Sequence, residues 1–244
     1  MTVSTDKPLA KREGNDLEIY DEFEPWWHDS NRQLRPLRRL APERTRFLQE
    51  MVTPQGRILD LGCGGGYMLE ELSGYNACLF GIDLAIEALR AARTRSIQEG
   101  YATTLVRASA DALPFADEFF DGIICTDVLV HVPDPRAVIS EIARVLKPNG
   151  WLHVSAINKT RLAKFIMITL GEGLLRMIPK GTHDARTFIS PNHLSQMLSA
   201  QGLELGASSG IGPTGWSKGA FTFGVHRSRS VMYQGFALKT NALT

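Results

Sequence analysis

Asp60-Leu-Gly62-Cys-Gly64-Gly65-Gly66 places an acid at the front of a glycine-rich bend. A short run, Arg57-Ile58-Leu59, reads as a buried strand before it, and Tyr67 to Leu72 as an amphipathic helix after it. Glycines at a strand-to-helix turn let backbone approach a ligand closely, because no Cβ intervenes. A carboxylate at the front of that turn repels a pyrophosphate and attracts an ammonium or sulfonium. The dinucleotide fingerprint also wants a third glycine where this chain has Tyr67. Asp60, Gly62 and Gly64 therefore point to S-adenosyl-L-methionine, a nucleoside with two cationic groups, over NAD or ATP.

Asp83, followed by Leu84, ends the next apolar run, roughly 20 residues on, where this topology brings a carboxylate to a ribose diol. The same carboxylate can instead cap the helix that begins at Leu84. Ser109-Ala110-Asp111 follows a third run and can meet the adenine edge through backbone amides or Asp111, or serve as a polar turn before Pro114. Thr126 ends the fourth run, so its backbone faces the same crevice. Beyond it lie Asp127, Val130 and His131, which share one face if Asp127–His131 is helical. His131 is the natural general base, since its ordinary pKa lies near working pH, with Asp127 as its acidic companion. The bland alternative is that His131 packs the loop before Pro133.

These residues need a scaffold. Strands are expected at Arg57–Leu61, Cys78–Ile82, Thr103–Ala108, Phe120–Thr126 and Trp151–Ile157. Helices are expected at Tyr67–Ser73, Leu84–Glu99 and Pro135–Leu146. Such alternation predicts an α/β fold, a Rossmann-like, mostly parallel seven-stranded sheet with helices on both faces, binding ligands at the carboxyl ends of its strands. Upstream, Leu17–Trp27 has helical spacing interrupted by Pro25, and Pro42–Val52 reads as a helix with Pro42 in its first turn. Downstream, Pro191–Ala200 reads as a helix and Leu203–Ser209 and Ser230–Lys239 as closing strands, with Gly210–Gly219 as a loop. The expected organisation is a disordered tail over 1–15 and one domain over 16–244, carrying a lid-like insertion at 159–187.

The pattern resembles class I S-adenosylmethionine-dependent methyltransferases, and more narrowly the ubiquinone-biosynthesis O-methyltransferase family. The stretches that carry the likeness are Trp26-Trp27, Pro36 to Arg39, Pro42-Glu43-Arg44, Asp60 to Gly66, His131 to Pro135, Leu146 to Gly150 and Arg176 to Asp184. The resemblance implies cofactor contacts at Arg44, Gly62, Asp83 and Thr126, with the Arg44 guanidinium on the methionine carboxylate. It also implies O-methylation of a phenolic, lipid-tailed quinone precursor. In the family the Asp127–His131 position reads Glu-x-x-Glu-His and is implicated in divalent-metal binding. Here Val130 replaces the second acid and cannot ligate, so Mg²⁺ would be held only loosely, and no metal ligands are assigned.

The insertion, Lys159–Lys180, is rich in large apolar residues punctuated by Lys159, Arg161, Lys164, Arg176 and Lys180, with Glu172 as its one acid. Such a helix can lie in a lipid interface, and the corresponding family region contacts membranes; packed on the sheet, it is an ordinary lid. No apolar run reaches the length of a spanning helix. A net charge of +1 gives no reason to expect nucleic acid as a partner. Three cysteines, Cys63, Cys78 and Cys125, in strand-like surroundings argue for a reducing compartment, so a cytoplasmic protein, peripheral at a membrane surface, is expected. Two rival functions share the fold: methyl transfer to another small acceptor, and a non-catalytic S-adenosylmethionine-binding scaffold.

Overall fold

The computed structural model describes residues 26–27, 34–174, 184–217 and 220–240. The expected helix at Leu17–Trp27 and the tail over 1–15 lie outside these residues, except for Trp26 and Trp27. A first helix, α1 (Arg35–Met51), precedes the sheet. Then β1 (Gly56–Leu61), α2 (Tyr67–Leu72), β2 (Ala77–Asp83), α3 (Ile86–Glu99), β3 (Thr103–Arg107), β4 (Phe120–Thr126), α4 (Pro135–Val145) and β5 (Leu146–Ile157) alternate as the pattern predicts. A short helix, α5 (Arg161–Lys164), runs into π-helical turns at Phe165–Leu174. After a 3₁₀ turn at Ala185–Thr187 come α6 (Pro191–Ser199), β6 (Leu203–Ser217), β7 (Ala220–His226) and β8 (Met232–Lys239).

The sheet order is β3-β2-β1-β4-β5-β8-β6-β7. The first five strands are mutually parallel, and β8 inserts antiparallel between β5 and β6. Successive residues in the central strands point to opposite faces, and each face has its own core. Ile58 and Ile124 pack with Phe47 and Leu48 of α1 and Leu69 of α2. Their neighbours Leu59 and Ile123 pack with Val138 and Ile142 of α4 and Leu194 of α6. Burial on both sides is what makes these strands continuous apolar runs. It leaves the strand ends as the place where polar side chains can gather.

Three expectations need correction. The helix expected from Pro42 starts at Arg35, and Pro42 lies inside it. Pro42 sits on the exposed face, where water can satisfy the carbonyl four residues back, while Leu40, Phe47 and Leu48 bury the other face. The loop expected at Gly210–Gly219 is instead, over its described residues, the end of β6 paired with the unforeseen β7, so the sheet has eight strands. Gly210 serves packing: a Cβ there would come within 2.4 Å of the His226 ring. Finally, α4 gives way directly to β5, whose first residue, Leu146, is already extended, so Pro148-Asn149-Gly150 lies in the strand entry.

Candidate active site

A cavity of about 620 Å³ opens at the carboxyl ends of β1, β2 and β4. Its polar end is lined by Arg44, Asp60, Gly62, Gly64, Asp83, Leu84, Ala110, Thr126, Asp127 and His131, ten of the eleven residues singled out from sequence. Asp111 is the eleventh. It is exposed, does not line the cavity, and accepts a hydrogen bond from the Ser109 hydroxyl.

The glycine bend is shaped by backbone geometry and by a tryptophan pair. Gly62, Gly64 and Gly66 have φ of 72°, 50° and 86°, a region that favours glycine. The Asp83 carboxylate ties the bend to the next element, accepting from Gly64 N–H at 2.8 Å and from Ala85 N–H at 2.9 Å. It therefore holds the start of α3 and borders the cavity at once. Trp26 packs directly on the bend: a Cβ on Gly65 would lie 2.7 Å from Trp26 Cβ, and one on Gly64 2.8 Å from its ring. Trp27 Nε1 donates to Gly65 O at 2.8 Å, and Tyr67 Oη donates to Trp26 O at 2.7 Å. Tyr67, read from sequence as a departure from the dinucleotide fingerprint, is what anchors this clasp.

Beneath the bend, two carboxylates share one cation. Arg44, 4 % exposed, forms an ion pair with Asp127 through Nη2 and also donates to Ser155 Oγ at 3.4 Å. The Ser155 hydroxyl donates to Asp127 Oδ1 at 2.9 Å and accepts from Asp127 N–H at 3.1 Å. Burial alone would raise the Asp127 pKa, but the Arg44 charge and these hydrogen bonds outweigh it and hold the carboxyl below its usual range. Asp60, 2 % exposed, goes the other way. Burial pushes its pKa up to about 7, Arg44 only partly opposing and Asp83 adding to the rise. Arg44 spends its nearest donor on Asp127, which leaves Asp60 the under-compensated acid of the pair.

The condition under which Asp127 and His131 would share a face is not met, because the segment is not helical. Asp127 has φ of 60°, and a turn follows, with His131 N–H donating to Val128 O at 2.8 Å. Val130 points into the core and its carbonyl accepts from Thr187 Oγ1 at 2.7 Å. Asp127 and His131 both still reach the cavity. With Val130 buried and Asp127 committed to Arg44, this donor set does not fit a tight divalent-metal site. His183 lies outside the described residues; Asp184 caps the 3₁₀ turn and pairs with Arg186 at 2.6 Å.

The cavity's other end is apolar. Leu37 and Leu40 of α1, Ile166 and Met167 of the π-helical turns, and Phe221 and Phe223 of β7 form it. Arg39 Nη1 donates to Phe221 O at 2.5 Å and fixes β7 against α1. Sequence reasoning missed this wall, because it missed β7. It also missed Ser155, whose one signal was a hydroxyl inside the apolar run Val154-Ser155-Ala156.

The polar end suits the amino-acid part of S-adenosylmethionine. A buried acid whose pKa is raised to about 7 suits a cation. Arg44 bonds to Asp127 and Ser155 through Nη2 alone, which leaves Nη1 without a partner among the described residues, as a donor for an anion would be. Comparison with known proteins agrees. Residues 59–154 match the family model described as a methyltransferase domain. A ubiquinone biosynthesis O-methyltransferase from Thiobacillus denitrificans is 34 % identical over 83 % of this chain and 88 % of its own length. One from Xylella fastidiosa is 36 % identical over 88 % of this chain and 89 % of its own. A SAM-dependent methyltransferase from Methanosarcina mazei superposes with a TM-score of 0.61 at 22 % identity, covering 80 % of this chain and 98 % of that one. Fold, cavity and sequence likeness agree, and the chain belongs to the ubiquinone-biosynthesis O-methyltransferase family of S-adenosylmethionine-dependent methyltransferases.

Proposed function

We propose that the protein methylates a phenolic oxygen of a quinone precursor that carries an apolar tail. The observation that carries this reading is the mixed lining of one cavity: acids and a guanidinium from the strand ends and α1, with leucine, isoleucine, methionine and phenylalanine from α1, the π-helical turns and β7. When bound, S-adenosylmethionine supplies an electrophilic methyl on a sulfonium. Asp60 would hold its ammonium, the free edge of the Arg44 guanidinium its carboxylate and Asp83 its ribose hydroxyls, while Leu84 and Ala110 would border the adenine. A phenol titrates near 10 in water, about three units above working pH, so its proton must be removed as the oxygen reacts. His131 is the base in this proposal. Asp127 is too weak a base for that role, since Arg44 and Ser155 hold its carboxylate and keep its pKa below the usual range; its charge faces His131 and stabilises the imidazolium that forms. The apolar wall takes the tail.

The test is transfer of labelled methyl to a prenylated phenol and to the same ring without its tail. The tailed acceptor should show the lower KM, and His131→Ala should reduce kcat by about 10²-fold or more with donor binding unchanged. A purified protein that binds the donor yet methylates no phenol would remove this reading.

We also propose that Lys159–Lys164 and the turns after it touch a lipid surface. Among the described residues no helix is long and apolar enough to cross a membrane. Leu162 and Phe165, however, are 49 % and 51 % exposed beside Lys159, Arg161 and Lys164.

A further inference from the structure

We infer that Ser155 is a positioning residue for the methyl donor: it locks Arg44 onto Asp127, and donor binding thereby becomes coupled to release of a proton from Asp60. This rests on the reading of the cavity as an S-adenosylmethionine site.

A serine hydroxyl has one proton to give and two lone pairs to receive. Ser155, fully buried, uses all three: it donates to Asp127 Oδ1 and accepts from Asp127 N–H and Arg44 Nη2. Nothing about its position is left to choose. Asp127 is thereby held in a left-handed backbone conformation at the end of β4, with its carboxylate turned to Arg44. Both bonds of the guanidinium run through Nη2, which leaves Nη1 and the buried Nε as donors without a partner among the described residues.

The charges then count as follows. A buried acid, Asp60, and a partly buried one, Asp127, face one buried cation. Arg44 on α1, Asp83 at the end of β2, Cys63 in the bend and Cys125 on β4 face Asp60; His153 on β5 faces Arg44 and Asp127, the latter just past the end of β4. Because Ser155 assigns Arg44 to Asp127, Asp60 keeps a proton in the free protein below about pH 7. The amino-acid end of the donor brings an ammonium to Asp60 and a carboxylate to the edge of the Arg44 guanidinium that Asp127 does not occupy. The ammonium replaces the proton as the partner of Asp60, and the proton leaves to solvent.

The probe is S-adenosylhomocysteine, titrated calorimetrically into the full chain at pH 6 in two buffers of different ionisation enthalpy, and again at pH 8. The wild type should release close to one proton at pH 6 and close to none at pH 8. Ser155→Ala frees Arg44 to turn toward Asp60; its proton release at pH 6 should shrink and its affinity fall by about 10-fold, the scale of one charge-assisted hydrogen bond. Ser155→Thr, which keeps the hydroxyl, should restore both. A serine with a merely structural role would lower the melting temperature and leave the proton count alone. Wild-type release near zero at pH 6, or S155A with unchanged affinity and proton count, would overturn the inference. If S155A does not fold, the wild-type proton count decides. No binding of S-adenosylhomocysteine at all would count against the donor site itself, which is a separate result.

Discussion

Asp60 illustrates how one carboxyl group can be costly to the free protein and useful to the loaded one. Its folded-state pKa of about 7 lies above its ordinary 3.8. Between those values the folded chain binds a proton that the unfolded chain does not, so this group lowers stability as pH rises toward 7 and adds a constant penalty above it. Asp60→Asn should therefore raise the melting temperature of the free protein at pH 8, with the gain shrinking toward pH 4. The same variant should bind S-adenosylhomocysteine at least about 10-fold more weakly, having lost a buried charge that faces the ammonium. Thermal scans at the two pH values and one titration check both halves. Unaltered stability at pH 8 would show that Asp60 carries no buried strain. The place of Asp60 on the cavity was legible in sequence, because an acid ending a strand just ahead of a glycine bend lies at the strand's carboxyl end. Its competition with Asp127 was not, because Arg44 and Asp127 lie 83 residues apart and Arg44 and Ser155 lie 111 apart. No local pattern reports which carboxylate a distant guanidinium chooses.

At the scale of elements, the donor bend is held by a segment outside the sheet. Trp26 lies where side chains on Gly64 and Gly65 would have been, and Trp27, gripped between Arg38 and Arg95 at 5.3 Å and 4.5 Å from its ring, donates to the bend. Gly65→Ala should displace Trp26, cost about 1–3 kcal/mol of stability as overpacking does, and weaken donor binding while the sheet persists. Urea unfolding together with S-adenosylhomocysteine titration measures this; full stability with full affinity would mean that the tryptophan does not bear on the bend. The five parallel strands and their helices were readable because burial on both faces writes itself as long apolar runs. The hairpin of β6 and β7 was not. Gly210, Gly212, Pro213 and Gly215 look like loop chemistry, yet Gly210 is there because the His226 ring and the Ser228 carbonyl fill the space a side chain would need. The turn at Asp127–His131 stayed open in sequence for a related reason: no local pattern announces that Asp127 adopts φ of 60°.

For the whole molecule, the proposed lipid contact and the apolar end of the cavity lie on one continuous piece of chain, since Leu162 lines the cavity and is also half exposed. Vesicles containing anionic lipid should pellet the wild type, and Leu162→Asp with Phe165→Asp should reduce pelleting several-fold, with added salt doing the same. Absence of lipid-dependent pelleting would end the idea of a membrane-facing insertion.

The stretch common to methyltransferase domains spans residues 59–154, while Trp26, Trp27 and Arg44 precede it and Ser155 follows it by a single position. A fragment trimmed to that shared module would retain Asp60 and Asp83 but forfeit both the clasp and the guanidinium, and it would lack β8 along the flank of β5. Engineers grafting or shortening this scaffold must therefore treat the outlying helix and the last strand as parts of the cofactor pocket, however dispensable they look in an alignment of modules.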